Sequence, residues 1–301
     1  MRVLVTGASG YIGGAVIREL QGAGHQVVGL ARSDQAEKTV RAAGADVLRG
    51  SIEDLDVLRA GAETADGVIH LAFHDFFRFE ESIAMDRRAI ETMGAALAGS
   101  GRPLVTTVAV ARSGKPGEVS TEDTRQAPGS FGYIRFLNEE ATVALAEDGV
   151  RASVVRLPPT VHGPGDKAFV PVLIDIARER GVSGYPGDGA NVWPAVHRLD
   201  AARLYRLALE GAPAGSRLHC MADEGVPTRE IAEVIGRHLS LPVVSVPASD
   251  VGEHFGFLGH VVSMDAPASS ARTRALLGWE PAHPGLIADL DEGHYFASAG
   301  S

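Results

Sequence analysis

Near the start of the chain three glycines fall in the order Thr6-Gly7-Ala8-Ser9-Gly10-Tyr11-Ile12-Gly13, a spacing suited to holding a diphosphate. Gly7 permits a tight turn, Gly10 lets the backbone approach the phosphates, and Gly13 lets the following helix pack close to the strand. The unpaired N–H groups at the start of that helix, with their partial positive charge, then face the anion. The chemistry implied is dinucleotide binding, with Ser9, Tyr11 and Ile12 among the contacting residues. Cysteine chemistry has little room. Cys220 is the single cysteine, which excludes an internal disulfide and a cysteine metal cage and suits a buried, inert thiol.

The glycines need a strand before them and a helix after them. Val3-Leu4-Val5 suits a short buried strand, and Ile12, Val16 and Leu20 recur every four residues to give one apolar helical stripe. Gly22 and Gly24 stop that helix, and Gln26 to Ala31 form the next strand. The whole reads as a βαβ unit, the context in which a glycine triplet is a specific signal.

TGASGYIG has the form TGxxGxxG, which resembles the extended (atypical) short-chain dehydrogenase/reductase family, the NAD(P)-dependent epimerase/dehydratase-like proteins. The resemblance continues through GVIHLAF, RASVVRLPPTVHGPGD and LGWEP, nearly the whole chain. It implies an α/β fold: a Rossmann-type doubly wound parallel sheet with a smaller, interleaved C-terminal substrate lobe. On that plan residues 1–163 bind the dinucleotide and 195–223 return to that domain, while 164–194 and 224–301 form the substrate lobe.

Ala31 stands where an acidic residue would hold the adenosine ribose of NAD, and Arg32 and Ser33 follow it. A guanidinium and a hydroxyl suit a 2′-phosphate, so NADP(H) is expected in preference to NAD(H), with Asp34 close by as the opposing charge. The resemblance places Ser51 and Ile52 beside the adenine, and Leu71, Ala72 and Phe73 along the cofactor groove. Pro158, Pro159, Thr160 and Val161 are placed near the nicotinamide. His70 reads as a packed core histidine, and His74, Asp75, Phe76 and Phe77 as a loop over the substrate.

In the family a tyrosine hydroxyl exchanges a proton with the substrate, and a lysine one helical turn later holds the nicotinamide ribose. The frame YGxxKxxxE falls on Phe131 to Glu139, with Phe131 for the tyrosine and Arg135 for the lysine. Phe131 has no proton to give. Arg135, at i+4, retains a cation for the ribose hydroxyls. Tyr133 points about 200° away from Phe131 on a regular helix and reaches the site only through an irregular entry at Gly132. The proton source is therefore open among water, Tyr133, Thr107 on the fifth strand, His74, and His162 in the place of a frequent family tyrosine. Thr107 competes with Val108 for the family's serine or threonine position, and adjacent strand residues face opposite sides.

A net charge of −10 argues against a nucleic-acid surface and an anionic membrane surface. With no signal-peptide core and no long apolar run, a cytoplasmic protein acting on a small molecule is expected, without a metal. The family's dimers imply a homodimer. The function expected is an atypical NADP(H)-dependent oxidoreductase reducing a carbonyl-type group on a small, largely apolar substrate. A non-catalytic dinucleotide sensor, and an epimerase or dehydratase with bound NAD(P), are the alternatives.

Overall fold

The computed structural model describes residues 1–73, 78–110, 117–130 and 132–297; His74, Asp75, Phe76, Phe77, Ala111 and Phe131 lie outside them. The chain begins β1 (Arg2–Thr6), α1 (Tyr11–Gly22), β2 (Gln26–Ala31), α2 (Asp34–Ala42), β3 (Asp46–Arg49), α3 (Leu55–Glu63), β4 (Gly67–His70) and α4 (Phe79–Leu97). It continues β5 (Pro103–Ala109), α5 (Tyr133–Ala144), β6 (Arg151–Leu157), β7 (Thr160–His162), α6 (Phe169–Arg180), β8 (Ser183–Pro186), β9 (Val192–His197) and α7 (Arg198–Gly211). After these come β10 (Ser216–His219), β11 (Asp223–Pro227), α8 (Thr228–Leu239), β12 (Val243–Val246), α9 (Val251–Phe255), α10 (Gly259–Val262), α11 (Ala271–Leu277) and α12 (Leu286–Asp291).

Seven strands form one parallel sheet in the order β10-β6-β5-β4-β1-β2-β3. Successive residues of β1 face opposite sides of it. Val3 and Val5 pack with Val16, Leu20 and the α7 residues Leu204 and Leu209, and Leu4 packs with Leu58, Met93 and Leu97 of α3 and α4. Helices thus cover both faces, which explains why the strands read as continuous apolar runs. The order reverses at β1, whose neighbours are β2 and β4. Ligands of open parallel sheets bind in the crevice at the strand C-termini beside such a reversal.

The remaining strands form a three-stranded sheet, β11-β9-β7, and a parallel pair, β12-β8. A second core gathers α6, α8, Trp193, Phe255, Leu286 and Leu290 around them. Residues between β6 and β10 therefore split: α7 packs in the large core, whereas β9 with Val196 and His197 pairs in the smaller sheet. Among the described residues no helix is long and apolar enough to cross a membrane.

Candidate active site

The glycine loop is built as tightly as its spacing implies. Gly7 has φ +68°, and a Cβ on it would come 2.8 Å from the Ala72 nitrogen at the end of β4. Its carbonyl accepts from Gly10 N at 2.9 Å. A Cβ on Gly13 would lie 2.1 Å from that same carbonyl oxygen, so only glycine lets α1 sit this close to β1. The N-cap of α1 is Gly10, without a side-chain cap and without an acidic residue in the first turn, and its first N–H groups are left for a ligand. Ser9 and Gly10 are exposed at the mouth, with Tyr11 and Ile12 half-buried behind them.

A buried polar chain fixes this loop to the helices. Thr6 Oγ1 accepts from Leu71 N and Ala72 N at 3.2 Å each, so its proton goes to His70 Nδ1 at 2.6 Å. His70 Nε2 then donates to Asp86 Oδ1 at 3.0 Å, and Asn138 Nδ2 donates to Asp86 Oδ2 at 2.7 Å. The chain crosses from β1 through β4 and α4 to α5. His70 is a satisfied core histidine, and the groove wall Leu71-Ala72-Phe73 is pinned by its first two amides.

On α5 the glycine before the helix takes φ +86°, and the helix begins at Tyr133 itself. The irregular entry that Tyr133 needs is present, yet its ring stacks with Phe136 at 6.2 Å. Arg135 leaves the helix on the other side and lays its guanidinium over Phe73, Cζ 4.1 Å from the ring centroid. Its Nε is buried with no hydrogen-bond partner. Burial pushes the Arg135 pKa down from its ordinary value, opposed chiefly by the charge of Asp86. A buried guanidinium with an orphaned donor is costly unless something accepts from it, and a ribose hydroxyl in this crevice would do so.

Thr107 and Val108 fall on opposite faces of β5. Thr106 donates to Thr142 on the α5 side, whereas Thr107 faces α7. The Thr107 hydroxyl donates to the His70 carbonyl at 2.9 Å and takes the Tyr205 hydroxyl at 2.8 Å. Both its functions are occupied in this state. Tyr205 is fully buried, which pushes its pKa well up. Sequence reasoning missed Tyr205; its signal was a tyrosine on the otherwise Ala and Leu stripe of α7.

Arg32 is exposed just past β2, and Ser33 Oγ caps α2 by accepting from Ala36 N at 3.2 Å. Asp34, the opposing charge near Arg32, is engaged by Arg49 at 2.9 Å. Ser51 N donates to Asp54 Oδ2 at 2.7 Å, and Ile52 is buried under this turn. Pro158, Thr160 and Val161 are buried between β6 and β9, with Thr160 Oγ1 unpartnered.

His162 belongs to a different cluster. It is fully buried, its Nδ1 lies 2.8 Å from Asp289 Oδ2, its Nε2 has no partner, and its ring meets His197 edge-on at 5.5 Å. Leu199 N donates to His197 Nδ1, and His283 stacks on the same ring at 4.7 Å. His197, Asp200 and His283 approach one another closely enough for a cation, but Asp200 already accepts from Ala282 N, His283 N and His283 Nδ1. Cys220 is buried beneath, and burial raises its thiol pKa.

Burial pushes His197 down to about 4, aided by His162 and His283, and pushes His219 down to about 4, aided by Arg156. Both folded-state pKa values lie below the ordinary histidine value of 6.5. Their stabilisation is therefore complete above about 6.5 and is lost as pH falls through the folded values. Urea midpoints should stay level from pH 8 to 7 and drop steadily from about 6.5 to about 4, a drop that His197→Asn should reduce.

Residues 3–219 match the NAD dependent epimerase/dehydratase family. An uncharacterized protein of Schizosaccharomyces pombe is 50% identical over 98% of this chain and 100% of its own. The 2-alkyl-3-oxoalkanoate reductase of Stenotrophomonas maltophilia is 29% identical over 81% of this chain and 77% of its own. The structure of the dTDP-glucose 4,6-dehydratase DesIV of Streptomyces venezuelae, with NAD and TYD bound, superposes with a TM-score of 0.79 at 20% identity, covering 99% of this chain and 98% of that one. The glycine loop, the reversal of strand order beside it and the match over most of the chain agree: this chain belongs to the NAD dependent epimerase/dehydratase family.

Proposed function

We propose that the protein is an NADP(H)-dependent oxidoreductase that reduces a carbonyl-type group on a small, largely apolar substrate, with Arg135 in the ribose-holding role. The observation that carries this reading is the Arg135 guanidinium, stacked on Phe73 beside the glycine-loop crevice with Nε buried and unpartnered. A buried donor with no acceptor in the protein supports a crevice that takes a ligand there, and turnover separates a reductase from a sensor. Stacking also explains arginine in place of lysine, because a planar guanidinium lies flat on an aromatic ring and an ammonium does not.

When bound, the nicotinamide supplies the hydride to the carbonyl carbon. The chain supplies the rest. The N–H groups at the start of α1 hold the diphosphate, Arg135 fixes the ribose, and the Thr107–Tyr205 pair makes a rigid polar floor at the end of β5. Holding the reactants at short range carries much of the rate. The proton that completes the alcohol comes from water, since the Thr107 hydrogen is committed to the His70 carbonyl and the Tyr133 ring is turned onto Phe136. Arg32, exposed just past β2, offers a guanidinium suited to the 2′-phosphate. A reductase among the relatives supports the reaction class.

Fluorescence titration with NADPH and NADH tests this. NADPH should bind at least about tenfold more tightly, Arg32→Ala should remove that preference, and Arg135→Met should weaken both dinucleotides by about tenfold or more. Phe131→Tyr should raise turnover in a screen of small apolar ketones and aldehydes. Binding without turnover of any carbonyl, in wild type and in Phe131→Tyr alike, would favour the sensor.

A further inference from the structure

Arg198, the first residue of α7, has no part in the reading above, yet it is placed like a ligand-binding arginine. Its Cζ lies 4.9 Å from the ring centroid of Tyr11, the first residue of α1. Its Nε is buried with no hydrogen-bond partner, and among the described residues its guanidinium forms no ion pair. Arginines that hold this fold together look different. Arg206, further along the same helix, is bonded by Glu19 at 2.7 Å and Glu210 at 2.8 Å. Arg156 takes Glu139 at 2.6 Å. A buried guanidinium N–H with nothing to accept from it is unfavourable, and a chain of net charge −10 has carboxylates to spare. Asp166 is in the neighbourhood, but its oxygens face Ala168 N at 2.7 Å and the Tyr295 hydroxyl at 3.4 Å.

The ring under Arg198 is fixed. Tyr11 donates its hydroxyl proton to the Gly163 carbonyl at 2.9 Å, and Gly163 N donates to the Tyr295 hydroxyl at 3.0 Å. Side chains on a helix lean towards its N-terminus, so a residue at the first position stands beside the free N–H groups of that end. The Tyr11 ring therefore holds Arg198 next to the uncapped start of α1. Two different anion-binding elements, a helix terminus and an unpaired planar cation, converge there. The glycine loop itself contains no lysine or arginine.

We propose that Arg198 binds the diphosphate of the dinucleotide, taking one phosphate while the α1 N–H groups take the other. This rests on the reading of the crevice as a dinucleotide site and adds to it a residue from outside the glycine loop. A diphosphate, with two adjacent oxyanions, matches the paired donors of a guanidinium.

The test is the affinity of Arg198→Met for NADPH and NADH, read by fluorescence, with thermal melting as the check on folding. Because both dinucleotides share the diphosphate, both affinities should fall by the same factor, between about tenfold and a hundredfold. Inorganic pyrophosphate should raise the melting temperature of wild type and not that of Arg198→Met. Arg198→Lys, which keeps charge but not the fork, should show a smaller and again equal loss, and it carries the test if the methionine variant does not fold. Unchanged affinities in either folded variant overturn the assignment. A loss confined to NADPH overturns it too, in favour of the 2′-phosphate. Wild-type protein that binds neither dinucleotide overturns the site reading and this assignment together, whereas wild-type binding with an indifferent Arg198→Met overturns the assignment alone.

Discussion

Gly13→Val is expected to bind neither NADPH nor NADH and to lose about 3 kcal/mol of stability or more, through overpacking at a site with no room. The Cβ would fall 2.1 Å from the Gly7 carbonyl oxygen and 2.9 Å from Ala8 Cα, both of them backbone atoms that no rotamer change can move. Relief requires α1 to shift outward, and its first N–H groups move with it. Stability and binding should fail together for that reason. Gly14→Ala is the control one residue along. There an added Cβ meets only the flexible end of Arg18 at 4.0 Å, and alanine should stabilise the helix by roughly 0.5–1 kcal/mol with binding unchanged. Urea unfolding and cofactor fluorescence on the two variants decide the matter. Equal behaviour of the pair would sink the close-packing argument.

The second large effect is expected at Glu139. Its carboxylate takes Arg156 on both oxygens, Nε to Oε2 at 2.9 Å and NH2 to Oε1 at 2.6 Å, and Arg217 adds a bond at 2.7 Å. Arg156 and Glu139 are both almost completely buried. The Arg156 guanidinium also reaches the carbonyls of Thr121, Glu122 and Thr124 and the Nε2 of His219. It thus ties α5, β6 and the segment before α5 into one unit. Removing one partner of a buried pair strands the other charge, so Glu139→Ala should cost about 3–5 kcal/mol. Because α5 also carries Arg135, cofactor affinity should fall with stability. A urea midpoint within error of wild type would show that the pair contributes little beyond replaceable packing.

The sheet was readable because its strands are short, apolar and buried on both faces. TGASGYIG marks the glycine turn between the first strand and the first helix. Edges were less legible: β3 runs Asp46–Arg49, where apolar content alone suggests Ala45 to Leu48, because an edge strand is half-exposed and its pattern weak. At the site, the glycines, Phe73 and Arg135 came from a local motif. Tyr205, Asp86 and Arg198 did not. Each acts through a partner far away in sequence, Thr107 for Tyr205, His70 for Asp86 and Tyr11 for Arg198, and no spacing rule announces such pairs. Gly132 shows the same limit at short range. Its left-handed backbone was recognisable as a condition for Tyr133, but the stacking of that ring on Phe136 depended on packing around the helix.

The parallel pairing of β6 with β10, Ser153 opposite Ser216, has an evolutionary consequence. Everything from Pro158 to Gly215 lies outside the large sheet, and the chain rejoins it at Ser216 beside the strand it left. To the sheet, that stretch is an excursion whose two ends are already neighbours. Closing an excursion becomes harder only with the logarithm of its length, about 0.6 kcal/mol for each doubling. The sheet tolerates insertions and exchanges there, provided that Gly163 keeps its carbonyl on the Tyr11 hydroxyl. The sheet can in this way absorb change in that stretch piecemeal, without passing through an unfolded ancestor.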